Sequence, residues 1–362
     1  MSRWRKIVNS LFTSADNVLL KSLNSKIIFT NSNSQKDGSG AQVQRVLSLI
    51  ALCRELNIDF KFRKLSSFEV QPFSNFKNFQ SVSDELEEIN EWVMLAFSCE
   101  ELTLEDESKL RKISLEGSPT KQFIILLKIK FMTIFLSNRL LIEMPDSYLI
   151  ANYKPAIYKQ LHSNQRNFVH VPKKQYVNVH LHMRRENVNP SSERFLSIEY
   201  YEDILDTMND FFEDSVFQLS ITVHTDILFS RSDLNLFETF VTQESLDHWQ
   251  AQEALLNFKH DFESNMDRYR TFLQSTKSKY ANFVLYDASS SVAEWQSMAS
   301  ADILVIAKSS YGVVGGLLND TGLVIAPKFW MTIPPHWIAF DSAIHARTQL
   351  NRSLGKKWNP IN

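Results

Sequence analysis

The sequence predicts an α/β chain in which strands alternate with helices to build parallel, doubly wound sheets in two domains. Three observations carry this. Strand-like stretches near 176–187, 219–225, 283–287, 302–307 and 323–326 alternate with helical patterns, and that order implies parallel strands joined by crossovers. A strand-loop-helix-strand unit, from Lys26 to Phe62, opens the first half. The 362 residues suffice for two domains of ordinary size. The boundary is expected near 170: residues 1–170 form a first Rossmann-like domain, 171–335 a second, and 336–362 a tail that returns toward the first.

In chain order, Lys26–Thr30 (KIIFT) reads as a strand, and 31–40 (NSNSQKDGSG) as a polar, turn-rich loop. A helix follows from Ala41, with Val43, Val46, Leu47, Ile50, Leu52 and Leu56 on a broad apolar face. Ile58–Phe62 is the next strand. In the loop between them Gly38 and Gly40 permit close approach of a ligand backbone, and the helix start offers free N–H groups. Gln42 and Gln44 stand where a GxGxxG pattern would continue, so taken alone a plain helix-start turn is the better account of this loop. Residues 66–118 read as mostly helical, acidic and solvated, with Phe68, Phe73, Phe76 and Phe79 in between. Periodicity does not decide between strand and helix over 119–143. Residues 147–170 read as helical.

Tyr176–Asn187 (YVNVHLHMRREN) is the most informative stretch. Val177, Val179, Leu181 and Met183 alternate with Asn178, His180, His182 and Arg184, the period of two of a strand with one apolar face. It runs into Arg184 and Arg185, and Asn187, Asn189 and Pro190 then break it. Beyond lie a helix (IEYYEDILDTMNDFF), the strand Leu219–Thr225 ending in His224-Thr225-Asp226, acidic and aromatic helices over 227–280, the strand Phe283–Asp287 and the helix Ser291–Ala299. The strand Asp302–Ala307 leads into Lys308-Ser309-Ser310, the small-residue helix Tyr311–Asn319 and the strand Leu323–Ala326.

Parallel strands put their carboxyl ends on one edge, where ligands of open α/β sheets bind. Arg184/Arg185, His224/Asp226 and Lys308/Ser309/Ser310 all follow strands, so they should meet at one crevice. Guanidiniums offer planar paired donors and a permanent charge, and a helix start adds N–H groups, which together suit a diphosphate.

Composition sets the outer bounds. With 44% hydrophobic and 12% aromatic residues the chain can bury sizeable cores, and a net charge of −2 argues against a nucleic-acid binder. Cys53 and Cys99 are the only cysteines, which excludes a disulfide framework and fits a reducing compartment. Residues 1–12 show no secretory signal. Trp4, Ile7, Val8, Leu11 and Phe12 fall on one helical face beside Arg3, Arg5 and Lys6, which suits a helix packed on its own domain and also peripheral contact with an anionic membrane. The apolar window Phe123–Ile142 contains Lys128, Lys130 and Arg139 and reads as buried protein rather than a membrane span.

His182-Met183-Arg184-Arg185-Glu186-Asn187 resembles the H-x-R-R-G-D/N signature of fucosyltransferase-like glycosyltransferases. These include α1,2-, α1,6- and protein O-fucosyltransferases and bacterial nodulation enzymes. The stretch SMASADILVIAKSSYGVVGGLLNDTGLVIAPKFW resembles their ADxLVxxxSSF donor segment, and DGSGAQVQR resembles the glycine-rich loop that opens their first domain. The resemblance implies a GT-B-like fold, two Rossmann-type domains facing a central cleft. It implies an inverting transferase with a nucleotide-sugar donor, GDP-fucose in most members, and a glycan acceptor. By position, Arg184 and Arg185 would bind and neutralise the diphosphate and His182 would support that loop. Ser309, Ser310 and Tyr311 would hold phosphate and nucleotide, Asp302 would shape that segment, and Gly38, Gly40 and Gln42 would face the donor from the first domain. Glu186 replaces the usual glycine and Tyr311 the usual phenylalanine.

The chemistry implied is displacement at the anomeric carbon by an acceptor hydroxyl, with arginines and N–H groups stabilising charge on the leaving diphosphate. No metal or other cofactor is then required. Asp37, Glu186 and Asp226 are candidates for the general base. Two rivals stand beside it. His180, His182, His224 and Asp226 could ligate zinc in a metal-dependent hydrolase, against which two adjacent arginines argue. A non-catalytic glycan- or nucleotide-binding module on the same fold is the other. The expected setting is cytoplasmic, at the inner face of the membrane, extending a bacterial surface polysaccharide.

Overall fold

The computed structural model describes residues 18, 27–32, 38–67, 82–115, 121, 125–129, 139–144, 176–184, 193–225, 268–286, 290–328, 333–341 and 344–358. The chain divides into two compact units, Met1–Glu69 with Leu86–Asn167 and Val70–Glu85 with Phe168–Asn362. Each carries one parallel sheet among the described residues, so the α/β class with two Rossmann-like units is what the chain adopts. No described helix is long and apolar enough to cross a membrane.

In the first unit, β1 (Ile27–Asn31) is central, with β2 (Asp59–Phe62) and β3 (Glu100–Glu101) on one side and β5 (Leu140–Met144) and β4 (Arg111–Ser114) on the other. All neighbours run parallel. Every residue of β1 is buried, which explains its unbroken apolar start. Ile27 and Phe29 pack with Leu49, Leu52 and Cys53 of the helix α1 (Ser39–Leu56), while Ile28 turns to the opposite face with Leu102 and Leu141. That division is the period of two at work. The helix α1 closes at Asn57, whose left-handed φ of 54° lets its amide reach back to the last turn.

The acidic segment departs from the mostly helical expectation for 66–118. The helices α2 (Val82–Phe97) and α3 (Leu104–Lys109) are present, the latter closed by a Thr103/Asp106 capping box. Between and after them lie β3 and β4, two strands that composition hides. Their pairing is partly electrostatic. Glu100 sits opposite Lys61 in register and 3.6 Å from its ammonium, and Glu101 pairs with Lys64 at 3.0 Å. Lys112 of β4 likewise pairs with Glu143 of β5. Charge that reads as a solvated helix face therefore also zips the sheet at its margins.

The second unit has six parallel strands in the order β11 (Ile338–Ala339), β10 (Leu323–Ala326), β9 (Ile303–Val305), β6 (Tyr176–Met183), β7 (Gln218–Thr225), β8 (Asn282–Leu285). Val177, Val179, Leu181 and Met183 join the core under the helices α4 (Ile198–Phe212) and α7 (Ile344–Trp358). Asn178, His180 and His182 face the other way. There α5 (Ser291–Ala299) and α6 (Ser310–Leu318) pack against each other. The strand order reverses between β6 and β9: the chain runs outward from β6 to β7 and β8, then returns to β9 on the other flank. The topological switch point, where ligands sit outside the carboxyl ends, falls at this pair.

The expected tail is part of this second unit. Ala346, Leu350 and Leu354 are buried in its core, and their spacing of four places them on one stripe of α7. The candidate helices at the N-terminus and over 147–170, and residues 227–267, lie outside the described residues.

Candidate functional site

The switch point brings together two segments that are 125 residues apart. Arg184 follows β6, and its guanidinium donates to the Ser309 hydroxyl at 3.4 Å. Ser309 is the N-cap of α6, 2% exposed, and its hydroxyl accepts the Tyr311 amide at 3.2 Å. The Val313 amide returns to the Ser309 carbonyl, which leaves the Ser310 and Gly312 amides without a partner among the described residues. One arginine, one hydroxyl and a helix start with open N–H groups therefore occupy the carboxyl edge, the arrangement that binds anions. Lys308 turns away, its ammonium on the Glu193 carbonyl at 2.9 Å.

His182 supports this edge from below. Its Nδ1 accepts the Ala307 amide at 3.4 Å, and its ring stacks on Tyr311 at 5.9 Å between centroids. Tyr201 of α4 donates its hydroxyl to the His182 carbonyl at 3.2 Å. The first turn of α6 lies directly on the imidazole: a Cβ at Gly312 would come within 2.5 Å of His182 Nδ1. The glycine lets the helix start sit this close to the strand. Burial holds His182 down at about 4, with the charge of Glu294 opposing the shift. A neutral ring that accepts at Nδ1 carries its proton on Nε2.

Deeper on the same face, His180 Nδ1 and His224 Nε2 face each other at 2.9 Å. The other nitrogen of His224 lies 3.5 Å from a Glu294 carboxylate oxygen, and the second oxygen of Glu294 accepts the Tyr311 hydroxyl at 2.8 Å. Burial, reinforced by His224, pushes His180 down to about 3. Burial works to raise the Glu294 carboxyl, but His224 and His182 beside it and the Tyr311 hydroxyl bring it below its usual range. Burial, with the Glu294 charge beside it, drives the Tyr311 phenol well up.

Of the residues expected from sequence, Arg184, His182, Ser309, Ser310 and Tyr311 come together. Asp302 does not join them. It precedes β9 and so lies at the amino edge, where its carboxylate accepts the Asn178 amide at 2.9 Å and ties β9 to β6. In the first unit, Gly38 is the N-cap of α1, Gly40 is buried in its first turn, and the Gln42 amide donates to the Ser67 carbonyl at 2.8 Å. Arg185, Glu186, Asp37 and Asp226 lie outside the described residues. The zinc alternative finds no support among the described residues: no group of three His, Cys, Asp or Glu is placed to hold a metal, and His180 and His224 turn ring nitrogens on each other.

Sequence reasoning missed Glu294, and Gly312 figured only as a small residue. A single carboxylate in SVAEWQSMA reads as an ordinary first-turn acid of a helix. Its apolar neighbours Trp295 and Met298, both fully buried, were the signal that this helix is inside.

No family model matches this chain, and no curated protein does. Among solved structures, E. coli heptosyltransferase WaaC with ADP-2-deoxy-2-fluoro heptose matches at 11% identity and a TM-score of 0.33, over 92% of this chain and 98% of that one. The same enzyme with ADP matches at 10% and 0.30, over 83% and 86%. A trehalose-6-phosphate synthase, solved in work on glycosyl transfer with retention, matches at 11% and 0.28, over 97% and 70%. Overlaps this low carry no weight for fold or activity, and function must be read from the geometry of the second unit.

Proposed function

We propose that this protein is an inverting, metal-independent glycosyltransferase of the GT-B, fucosyltransferase-like kind, with GDP-fucose as donor and a glycan hydroxyl as acceptor. The observation that carries the proposal is the meeting of Arg184 with Ser309 at the start of α6, at the switch point of a parallel sheet. A nucleoside diphosphate laid there has its charge met by a fixed guanidinium and by open amides. Both strengthen their hold as the sugar departs and charge gathers on the leaving oxygen, so they favour the transition state over the ground state.

Arg185 would extend the clamp, while Asp37, Glu186 and Asp226 are the candidate bases for the acceptor proton. The motif resemblance also carries the donor choice and the setting proposed, the building of a bacterial surface polysaccharide at the cytoplasmic face of the membrane. A thermal-shift screen of GDP, UDP, CMP, ADP and their sugar conjugates tests the donor site. GDP and GDP-fucose should stabilise most, by about 2.7 kcal/mol at a hundredfold excess over Kd. Stabilisation by another nucleotide alone would overturn the fucose assignment, and no response to any would overturn the donor site. Fucosyl transfer to a glycan panel with wild-type protein, absent in Arg185→Ala that still folds, separates an enzyme from a binding module.

A further inference from the structure

His180, His224, Glu294 and Tyr311 form one continuous chain of polar contacts beneath the start of α6, joining two strands and two helices of the second unit. His224 is fully buried, His180 is 7% exposed, and the Glu294 side chain is 22% exposed. The proposed transfer gives none of the first three groups a task. The Glu294 charge favours one proton order along the chain. An ionised Glu294 only accepts, so the His224 nitrogen facing it at 3.5 Å, Nδ1, is the one favoured to carry a proton, although at that distance it makes no hydrogen bond to the carboxylate. His224 Nε2 is then an acceptor, and His180 Nδ1 must donate across the 2.9 Å contact. This order makes both imidazoles the Nδ1–H tautomer. At the other end of the chain, the second Glu294 oxygen takes the Tyr311 hydroxyl, and Ser291, at the start of α5, donates to Glu85 of the same unit. Tyr311 is the second residue of α6, and its own amide caps onto Ser309.

We propose that Glu294 is a positioning residue of the anion site: through the Tyr311 hydroxyl and the His224–His180 pair it fixes the first turn of α6, so that Ser309 and the open amides stay aimed at the bound diphosphate. The proposal rests on the donor-site reading above. Glu294 acts through Tyr311 and touches no reacting atom. Its carboxylate oxygens do two things that an apolar filler does not: they bias the histidine tautomers, and they give the half-buried phenol an acceptor.

The test uses the full chain as wild type and as Glu294→Ala, Glu294→Gln, Tyr311→Phe and the Glu294→Ala/Tyr311→Phe double variant. Nitrogen-15 NMR of the histidines reads the tautomers, and calorimetry with GDP and with inorganic pyrophosphate reads the site. In the wild type, His180 and His224 are both Nδ1–H. In Glu294→Ala both go over to Nε2–H, while Glu294→Gln, whose amide oxygen still accepts, and Tyr311→Phe keep the wild-type pattern. Tyr311→Phe and Glu294→Ala each weaken both probes about tenfold, the double variant no more than Glu294→Ala alone, and Glu294→Gln restores most of the loss. Unchanged tautomers in Glu294→Ala, unchanged probe affinity in a folded Glu294→Ala, or fully additive losses in the double variant would overturn the proposal. If Glu294→Ala does not fold, Tyr311→Phe decides it: a tenfold loss of both probes supports the proposal, and unchanged affinity overturns it. Wild-type protein that binds pyrophosphate but not GDP refutes the nucleotide assignment and leaves Glu294 in its role. Wild-type protein that binds neither refutes both.

Discussion

Gly312→Ala puts one methyl group at the most crowded point of the site. Its Cβ would lie 2.5 Å from His182 Nδ1, 3.0 Å from Cε1 and 3.3 Å from Cγ. Ordinary contact begins near 3.4 Å, so ring and helix must part by about 0.9 Å. The ring has little freedom to yield. It is 6% exposed, stacks on Tyr311 and holds the Ala307 amide. The start of α6 must back away instead, carrying Ser309 and Tyr311 with it. Overpacking of this size costs about 1–3 kcal/mol, and loss of the Ala307 hydrogen bond adds about 1 kcal/mol. For a unit of this length that corresponds to a fall in melting temperature of roughly 4–16 °C. Calorimetric unfolding reads the stability, and titration with GDP reads the displaced anion site, expected to weaken about tenfold or more. A Gly312→Ala protein that melts and binds like the wild type would refute the claim that α6 is seated on His182. Gly355, where an added Cβ meets nothing, is the control, and Gly355→Ala should leave both readings unchanged or slightly stabilise α7.

Acid stability follows from the buried histidines. His180 and His182 titrate near 3 and near 4 in the folded chain, below the 6.5 of a free imidazole, so the unfolded chain takes up protons first. Stability is present above pH 6.5 and is lost as pH falls from there toward 4 for His182 and toward 3 for His180, by roughly 2 kcal/mol per histidine at pH 5. Urea midpoints should already decline between pH 6.5 and 5, before ordinary carboxylates titrate, and a flat profile over that interval would contradict neutral burial of both rings. Asp302→Ala should cost about 1–3 kcal/mol by stranding the Asn178 amide, yet leave GDP affinity unchanged because the residue lies at the amino edge. A selective loss of GDP binding without loss of stability would return Asp302 to the donor site.

The sequence and the structure agree most closely where one periodicity dominates. Ser291–Ala299 and Leu323–Ala326 are found as expected, and the strand ending at Thr225 begins one residue earlier. Alternation along 176–183 assigned the faces correctly: the valines went to the core and the histidines to the opposite side. The strands Glu100–Glu101 and Arg111–Ser114 were illegible because charged partners on neighbouring strands stabilise them, and partners are fixed by sheet order, not by local composition. The same limit applies to the site. The meeting of Arg184 and Ser309 could be anticipated, since both follow strands of a parallel sheet. The His180–His224–Glu294 chain could not, because it needs the register of β6 on β7 and the seat of α5. Asp302 was grouped with the donor segment by motif, although a residue that opens a strand lies a full strand away from one that follows it.

The central claim is that the carboxyl edge at β6 and β9 binds a nucleoside diphosphate through Arg184 and the start of α6. Calorimetric titration of GDP into wild type and Arg184→Met at two salt concentrations tests it most directly. Arg184→Met is expected to fold like the wild type, to lose about tenfold or more in affinity, and to show a weaker dependence on salt. Equal affinity and equal salt dependence in the two proteins would contradict the claim.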